Sequence, residues 1–310
     1  MLPLFHHDLI VAPLGSGSRG NCTYVGSAAH GLLVDCGLST RQVLLRLEAV
    51  GLDQARIDGV LVTHEHSDHV GAARILSRRL HERQGSAVPF FLTRGTEASL
   101  NPRCRPEHHR LIVAGQPFRV GPFEVTPTRV PHDVLDPVAY LVGYRGRYAF
   151  VVTDLGRSTR LIERQLSQAH LAVVEFNHDL EMLLDGPYPW SLKQRVRGNH
   201  GHLSNEQAAD LVANGASDRL KHLLLAHLSD DNNLPERALD AAHRALHRAG
   251  LDGVQVQVAP QERPATPAEI EATEVLPSVR PKKGKSRRRN LPLVDSEPRI
   301  QLPLFMRSPG

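Results

Sequence analysis

Short apolar runs recur along the first 260 positions, broken by Gly, Ser and Pro. Around Asp8–Leu14, Cys22–Gly26 and Gly31–Gly37 they read as strands, the first two flanking the turn Gly-Ser-Gly-Ser-Arg-Gly-Asn. Ser39 with Gln42 three residues later predicts a helix start, and Val43, Leu44, Leu47 and Val50 supply its apolar face. GVLVTH (59–64) is a buried strand, and residues 70–83 read as a helix. Strands then follow in PFFLT, RLIVAG, FRVG, FEVTPTRV, VAYLVGY and YAFVVTD. Beyond them come a helix at 158–168, the strand LAVVEF, and helices near 179–185 and 191–197. Ser204 and Gln207 predict a capped helix to about Ala213. KHLLLAHLS is a strand, 235–249 a helix, and VQVQV the last strand. Strands come first and helices recur later, which suits an α/β fold of two packed sheets with helices outside, rather than a doubly wound parallel sheet.

Composition changes that picture at one end only. Of 37 Lys and Arg, ten lie in 261–310, against six of the 33 acids, so residues 1–260 balance at 27 of each. The segment is rich in proline and contains a basic run, PKKGKSRRR (281–289), with little to bury. The expectation is therefore one domain over 1–260 and a disordered basic tail over 261–310. No apolar run approaches the ~20 residues of a membrane span. The first residues lack the pattern of a secretory signal, so a cytoplasmic protein without membrane association is expected. Three cysteines (Cys22, Cys36, Cys104) without CxxC spacing argue against a disulfide framework or a thiolate metal site.

The candidate chemistry sits in His64-Glu65-His66-Ser67-Asp68-His69, where an apolar strand runs into four ligand-type side chains just before a helix. Alternate side chains of an extended backbone share a face, so His64 and His66 converge on one ion. Asp68 and His69 lie one step further and serve a second. Imidazole and carboxylate suit Zn²⁺, Mn²⁺ or Fe, and the absence of thiolate favours a catalytic site over a closed structural one.

This HxHxDH pattern resembles that of the metallo-β-lactamase superfamily. Asp35 before it and His132, Asp154 and His227 after it complete the expected order, the first, third and last of these at strand ends. Within the superfamily the chain is similar to the YycJ/WalJ group of bacterial nucleases. The matching segments, among them LGSGSRGNCTYV, VTHEHSDH, EFNHDLEMLL, YPWSLKQR, GHLSNEQAA and LAHLSDDNN, span 14–233. The resemblance implies an αββα sandwich with two divalent ions, Mn²⁺ or Zn²⁺. His64, His66 and His132 would hold one, Asp68, His69 and His227 the other, and Asp154 would bridge them. Asp35 would accept a ring N–H from a ligand histidine, and Asp68 would also orient the attacking water. The activity implied is phosphodiester hydrolysis on DNA, a 5′-to-3′ exonuclease in mismatch repair or related DNA maintenance. A small-molecule hydrolase (cyclic phosphodiesterase or thioester hydrolase) and an RNA-processing nuclease are the competing readings.

His202, directly before the Ser204-capped helix, is expected to protonate the leaving oxygen or hold the scissile phosphate, with its pKa depressed by the helix N-terminus. Asn177 and His178 follow a strand as the ligands do, and His178 reads equally as a substrate contact or as a buttress. Ser18, Arg19 and Asn21 form either a tight turn at the rim or a backbone nest that donates to a DNA phosphate. At the far end, Gln301, Leu302, Leu304 and Phe305 in QLPLF resemble the peptide by which bacterial repair proteins bind the sliding clamp, making the clamp a candidate partner. The basic run before it is expected to attract phosphates in a salt-sensitive way.

Overall fold

The computed structural model describes residues 9–271. The chain begins with strands β1 (Leu9–Gly15), β2 (Cys22–Gly26) and β3 (His30–Val34), then helix α1 (Thr40–Ala49), β4 (Arg56–Leu61), α2 (Ser67–Val70) and α3 (Ala73–Gln84). β5 (Phe90–Thr93), α4 (Arg94–Ser99), β6 (His109–Ile112), β7 (Phe118–Val120), β8 (Phe123–Arg129), β9 (Val138–Tyr144) and β10 (Arg147–Val152) follow. The second half runs α5 (Arg160–Leu166), β11 (Leu171–Glu175), α6 (Leu180–Asp185), α7 (Trp190–Val196), α8 (Asn205–Gly215), β12 (His222–Ala226), α9 (Pro235–Arg248), β13 (Gln255–Val258) and β14 (Ala268–Ile270).

These strands form two seven-stranded sheets, ordered β14-β1-β2-β3-β4-β5-β6 and β13-β12-β11-β10-β9-β8-β7. In each, antiparallel pairing gives way to parallel pairing, at β3–β4 in the first and at β10–β11 in the second. The period-2 alternation of each strand divides its side chains between two interfaces. In β1, Leu9 and Val11 enter the core between the sheets, while Ile10, Ala12 and Leu14 pack under α1 and α3. In β12, Leu224 and Ala226 face the first sheet, and Leu223 and Leu225 pack under α8 and α9. Burial on both faces is why these strands read as unbroken apolar runs. The result is four layers, helix–sheet–sheet–helix.

Helix ends follow the local sequence. The Ser39 side chain accepts from the Gln42 N–H at 3.3 Å, and Ser204 with Gln207 closes a reciprocal capping box on α8. The folded part extends past the expected boundary at 260. The Arg46 guanidinium, buried behind α1, donates to the carbonyls of Leu14, Gln261 and Glu262 at 2.7–2.9 Å. Ala265 then donates to Pro13, and β14 pairs with β1, with Ala265 and Ala268 buried. Residues 261–271 are thus part of the sandwich rather than of a tail. The basic run and QLPLF lie outside the described residues. Among those described, no helix is long and apolar enough to cross a membrane.

Candidate metal centre

Most side chains of the centre leave the C-terminal end of a strand or the turn after it, while Asp68 and His69 belong to the short helix α2 that follows β4. Three of these positions, Asp35, Asp154 and His227, hold left-handed backbone conformations (φ 63°, 58° and 56°) without being glycine. Each follows directly or closely on β3, β10 or β12, where the chain must turn off the sheet. Such conformations are strained for a side-chain-bearing residue and persist where surrounding contacts fix them. Here those contacts are the centre's own. The His227 N–H donates to Ser16 Oγ at 2.8 Å, and the Asp35 N–H to the Leu61 carbonyl at 2.8 Å. Gly37 is required for a different reason. A Cβ there would collide with the Asp68 carbonyl, so glycine lets the turn after β3 lie against α2.

The structure brings the seven expected ligands together. Donor atoms of His64, His66 and His132 form one group, those of Asp68, His69 and His227 a second, each within 4.8 Å. His64 Nε2 and His66 Nδ1 are 3.0 Å apart. Asp154 lies between the groups, with Oδ2 3.1 Å from His69 Nε2 and Oδ1 3.8 Å from His132 Nε2. Most of the ligand rings have the opposite nitrogen fixed. His64 Nδ1 is 3.0 Å from Thr63 Oγ1, His69 Nδ1 2.8 Å from Asp35 Oδ2, His132 Nδ1 3.1 Å from the Gly201 carbonyl, and His227 Nδ1 2.9 Å from Glu175 Oε1. A carbonyl or carboxylate at Nδ1 fixes the proton there and leaves the Nε2 lone pair for a ligand.

The residues fit a pair of divalent cations. His132 Nε2 and His227 Nε2 are buried with no hydrogen-bond partner, although buried polar atoms are rarely left so. The electrostatics agree. Burial first, and then neighbouring His69, drive His64 well below the ordinary histidine range, so its imidazole is neutral. Burial also opposes the charge on His227, but Asp154, Asp68 and Glu175 outweigh it and hold that imidazole up at about 10, so a divalent cation drawn in by the same carboxylates would have to displace the Nε2 proton. Asp154 stays ionised despite its own burial because His227 and His69 surround it. All-nitrogen-and-oxygen donors suit Zn²⁺ and Mn²⁺ alike.

Glu175, at the end of β11, is the residue that sequence reasoning missed. It is fully buried, and its Oε1 lies 2.7 Å from His202 Nδ1 and 2.9 Å from His227 Nδ1. Its Oε2 accepts the backbone N–H groups of Leu155 and Leu203 at 2.9 and 3.2 Å. The available signal was a lone acid closing an apolar strand, as Asp35 and Asp154 do. Glu175 also corrects the expectation for His202. Burial lowers that imidazole, but the Glu175 carboxylate and then Asp154 more than compensate, so its pKa is raised rather than depressed.

A cleft of about 290 Å³ opens over this floor, lined by His66, Asp68, Asp154, His202 and His227. The inner face of α7 (Leu192, Arg195, Val196) forms one wall, and the turn 228–232 another. Ser18 reaches the cleft, whereas exposed Arg19 is paired with Asp230 and Glu262 at the surface. Asn21 is not free to bind a phosphate, because its buried side chain bridges Gly17 to the Asp68 and His69 segment. Asn177 lines the cleft while its amide donates to the His227 carbonyl at 2.8 Å. His178 faces away from the cleft, 1% exposed, its carbonyl accepting from the Asn205 N–H.

Comparison with known proteins decides the lineage. Residues 30–227 match the model of the β-lactamase superfamily domain. The chain belongs to the β-lactamase superfamily. Among relatives, the exodeoxyribonuclease YycJ of Bacillus anthracis is 35% identical over 77% of this chain and 89% of its own. The exodeoxyribonuclease WalJ of Streptococcus pneumoniae is 31% identical over 79% and 91%. The crystal structure of the metallo-β-lactamase fold protein YhfI from Bacillus subtilis superposes with a TM-score of 0.63. At 16% identity it covers 85% of this chain and 99% of that one. The four-layer sandwich is thus the metallo-β-lactamase fold, as the sequence motif implied.

Proposed function

We propose that this chain is a metal-dependent nuclease that hydrolyses phosphodiester bonds of DNA, acting as a 5′-to-3′ exonuclease in DNA repair. The observation that carries the reading is the complete ligand set with His202 beside it on one cleft floor. The likeness to exodeoxyribonucleases over most of their length supports DNA as the substrate.

His64, His66 and His132 would hold one cation, Asp68, His69 and His227 the other, with Asp154 facing both. Divalent cations bound there supply Lewis-acid polarisation of the phosphoryl group and a more acidic water. Asp68, which lines the cleft, orients the attacking water toward phosphorus. His202 handles the other proton. Its Nδ1 is held by Glu175, so the raised pKa keeps a proton on Nε2, and transfer from there to the leaving oxygen completes the cleavage. One P–O bond forms, one breaks, and the water's hydrogens end on the released groups. A cytoplasmic enzyme delivered to DNA by a sliding clamp bound at QLPLF completes the proposal.

Digestion of 5′-labelled and 3′-labelled duplex DNA with Mn²⁺ or Zn²⁺ tests it, with Asp68→Ala and Asp154→Ala beside the wild type. Mononucleotides released from the 5′ end by the wild type alone are expected. A metal-loaded wild type that leaves DNA intact would overturn the reading. Equal clamp binding by the full chain and by one stopped at Pro298 would remove the tether alone.

A further inference from the structure

The cleft presents an electrostatic problem for a polyanionic substrate. Among the described residues, and beyond its ligands and His202, its charged lining consists of the carboxylates Asp133, Asp230 and Asp231 and a single guanidinium, Arg195. We propose that Arg195 binds the backbone phosphate next to the scissile one, leaving Asp133 to do so; the inference rests on DNA being the substrate.

Three observations carry it. Arg195 Nε is 2.6 Å from Asp133 Oδ2, and Asp133 Oδ1 is 3.4 Å from His132 Nε2. One carboxylate therefore separates the guanidinium from a metal ligand, which places it past the centre and in reach of a neighbouring phosphate. The Arg195 side chain is 60% exposed, so its pairing with Asp133 is a solvent-screened contact that a phosphate readily replaces. Finally, α7 is anchored on its other face, which fixes where Arg195 projects. Buried Lys193 donates to the Leu184 carbonyl at 2.6 Å. Arg19, by contrast, already has two carboxylate partners and lies off the cleft. A guanidinium presents two parallel N–H groups to a phosphate, which a lysine cannot do.

The test is steady-state kinetics of the metal-loaded full chain on a single-stranded oligonucleotide and on thymidine 5′-(4-nitrophenyl) phosphate, which carries one phosphodiester only. Arg195→Ala should raise KM for the oligonucleotide about 10- to 100-fold, with kcat changed far less. Its kcat/KM ratio between oligonucleotide and single diester should fall at least about tenfold. Arg195→Lys should recover part of the loss, and Asp133→Asn should lower the oligonucleotide KM. Equal losses on both substrates, or an unchanged oligonucleotide KM, would overturn the assignment while leaving the nuclease reading intact. A wild type that cleaves the single diester but no DNA would overturn both.

Discussion

Glu175→Gln is the most informative substitution, because it preserves shape while removing the charge and turning one acceptor oxygen into a donor. The carboxylate takes four N–H donors, two from the backbone at Leu155 and Leu203 and two from the rings of His202 and His227. An amide offers one acceptor oxygen. That oxygen must serve the backbone pair, whose N–H groups cannot change identity, so the amide NH₂ faces the two imidazoles. Both rings must then present a bare Nδ1 and carry their proton on Nε2. For His227 that proton occupies the lone pair expected to bind metal. The expected result is a 10- to 100-fold weaker affinity at the Asp68/His69/His227 group, about 1.4–2.7 kcal/mol. His202 also loses the partner that raises its pKa, so turnover at neutral pH falls by more than metal loss alone explains. Isothermal titration with Mn²⁺ or Zn²⁺, combined with turnover at saturating metal, separates the two effects. A variant with wild-type affinity at both groups and wild-type turnover would refute the argument that Glu175 sets these tautomers.

Three further outcomes follow from particular contacts. Gly37→Ala pushes the Asp68 carbonyl and with it α2, so it should reduce bound metal by elemental analysis while far-ultraviolet circular dichroism is retained. Arg46→Ala strands the Leu14, Gln261 and Glu262 carbonyls and should cost about 2–4 kcal/mol in urea unfolding, with bound metal unchanged in the folded protein. His178 is held down to about 4, chiefly by burial. The unfolded chain therefore takes up a proton below about pH 6.5 that the fold refuses until about pH 4. Stability attributable to His178 is full above pH 6.5 and falls as the pH drops toward 4, by up to about 3 kcal/mol relative to His178→Gln. Parallel pH–stability curves for the two proteins would contradict this.

Much of this protein could be read from its sequence, for identifiable reasons. Strands buried on both faces leave continuous apolar runs, and the turns after them expose His64, His66, Asp68 and His69 in one local cluster. Asp35, Asp154 and His227 were legible because each closes such a run. What escaped was interaction across long separations. Glu175 looks like an ordinary strand end, and only the fold brings it to His227, 52 residues on. The sign of the His202 shift was missed for the same reason, since its helix was visible but the carboxylate was not. The extension through residue 271 depends on Arg46, 215 residues before Gln261, and on a three-residue strand too short to show periodicity. Asn21 read as either a rim-turn residue or a phosphate donor, and the approach of α2 to its turn, which buries it, was not legible.

The central claim is that two cations are held by specified atoms and that His202 is not among their ligands. A second grouping is present, Asp154, Glu175, His202 and His227, whose donor atoms also lie within 4.8 Å. Anomalous diffraction from crystals soaked in Mn²⁺ distinguishes the two. The account predicts two peaks flanking Asp154, one among His64, His66 and His132 and the other among Asp68, His69 and His227. A peak held by Glu175 and His202, or none on the cleft floor, would contradict it.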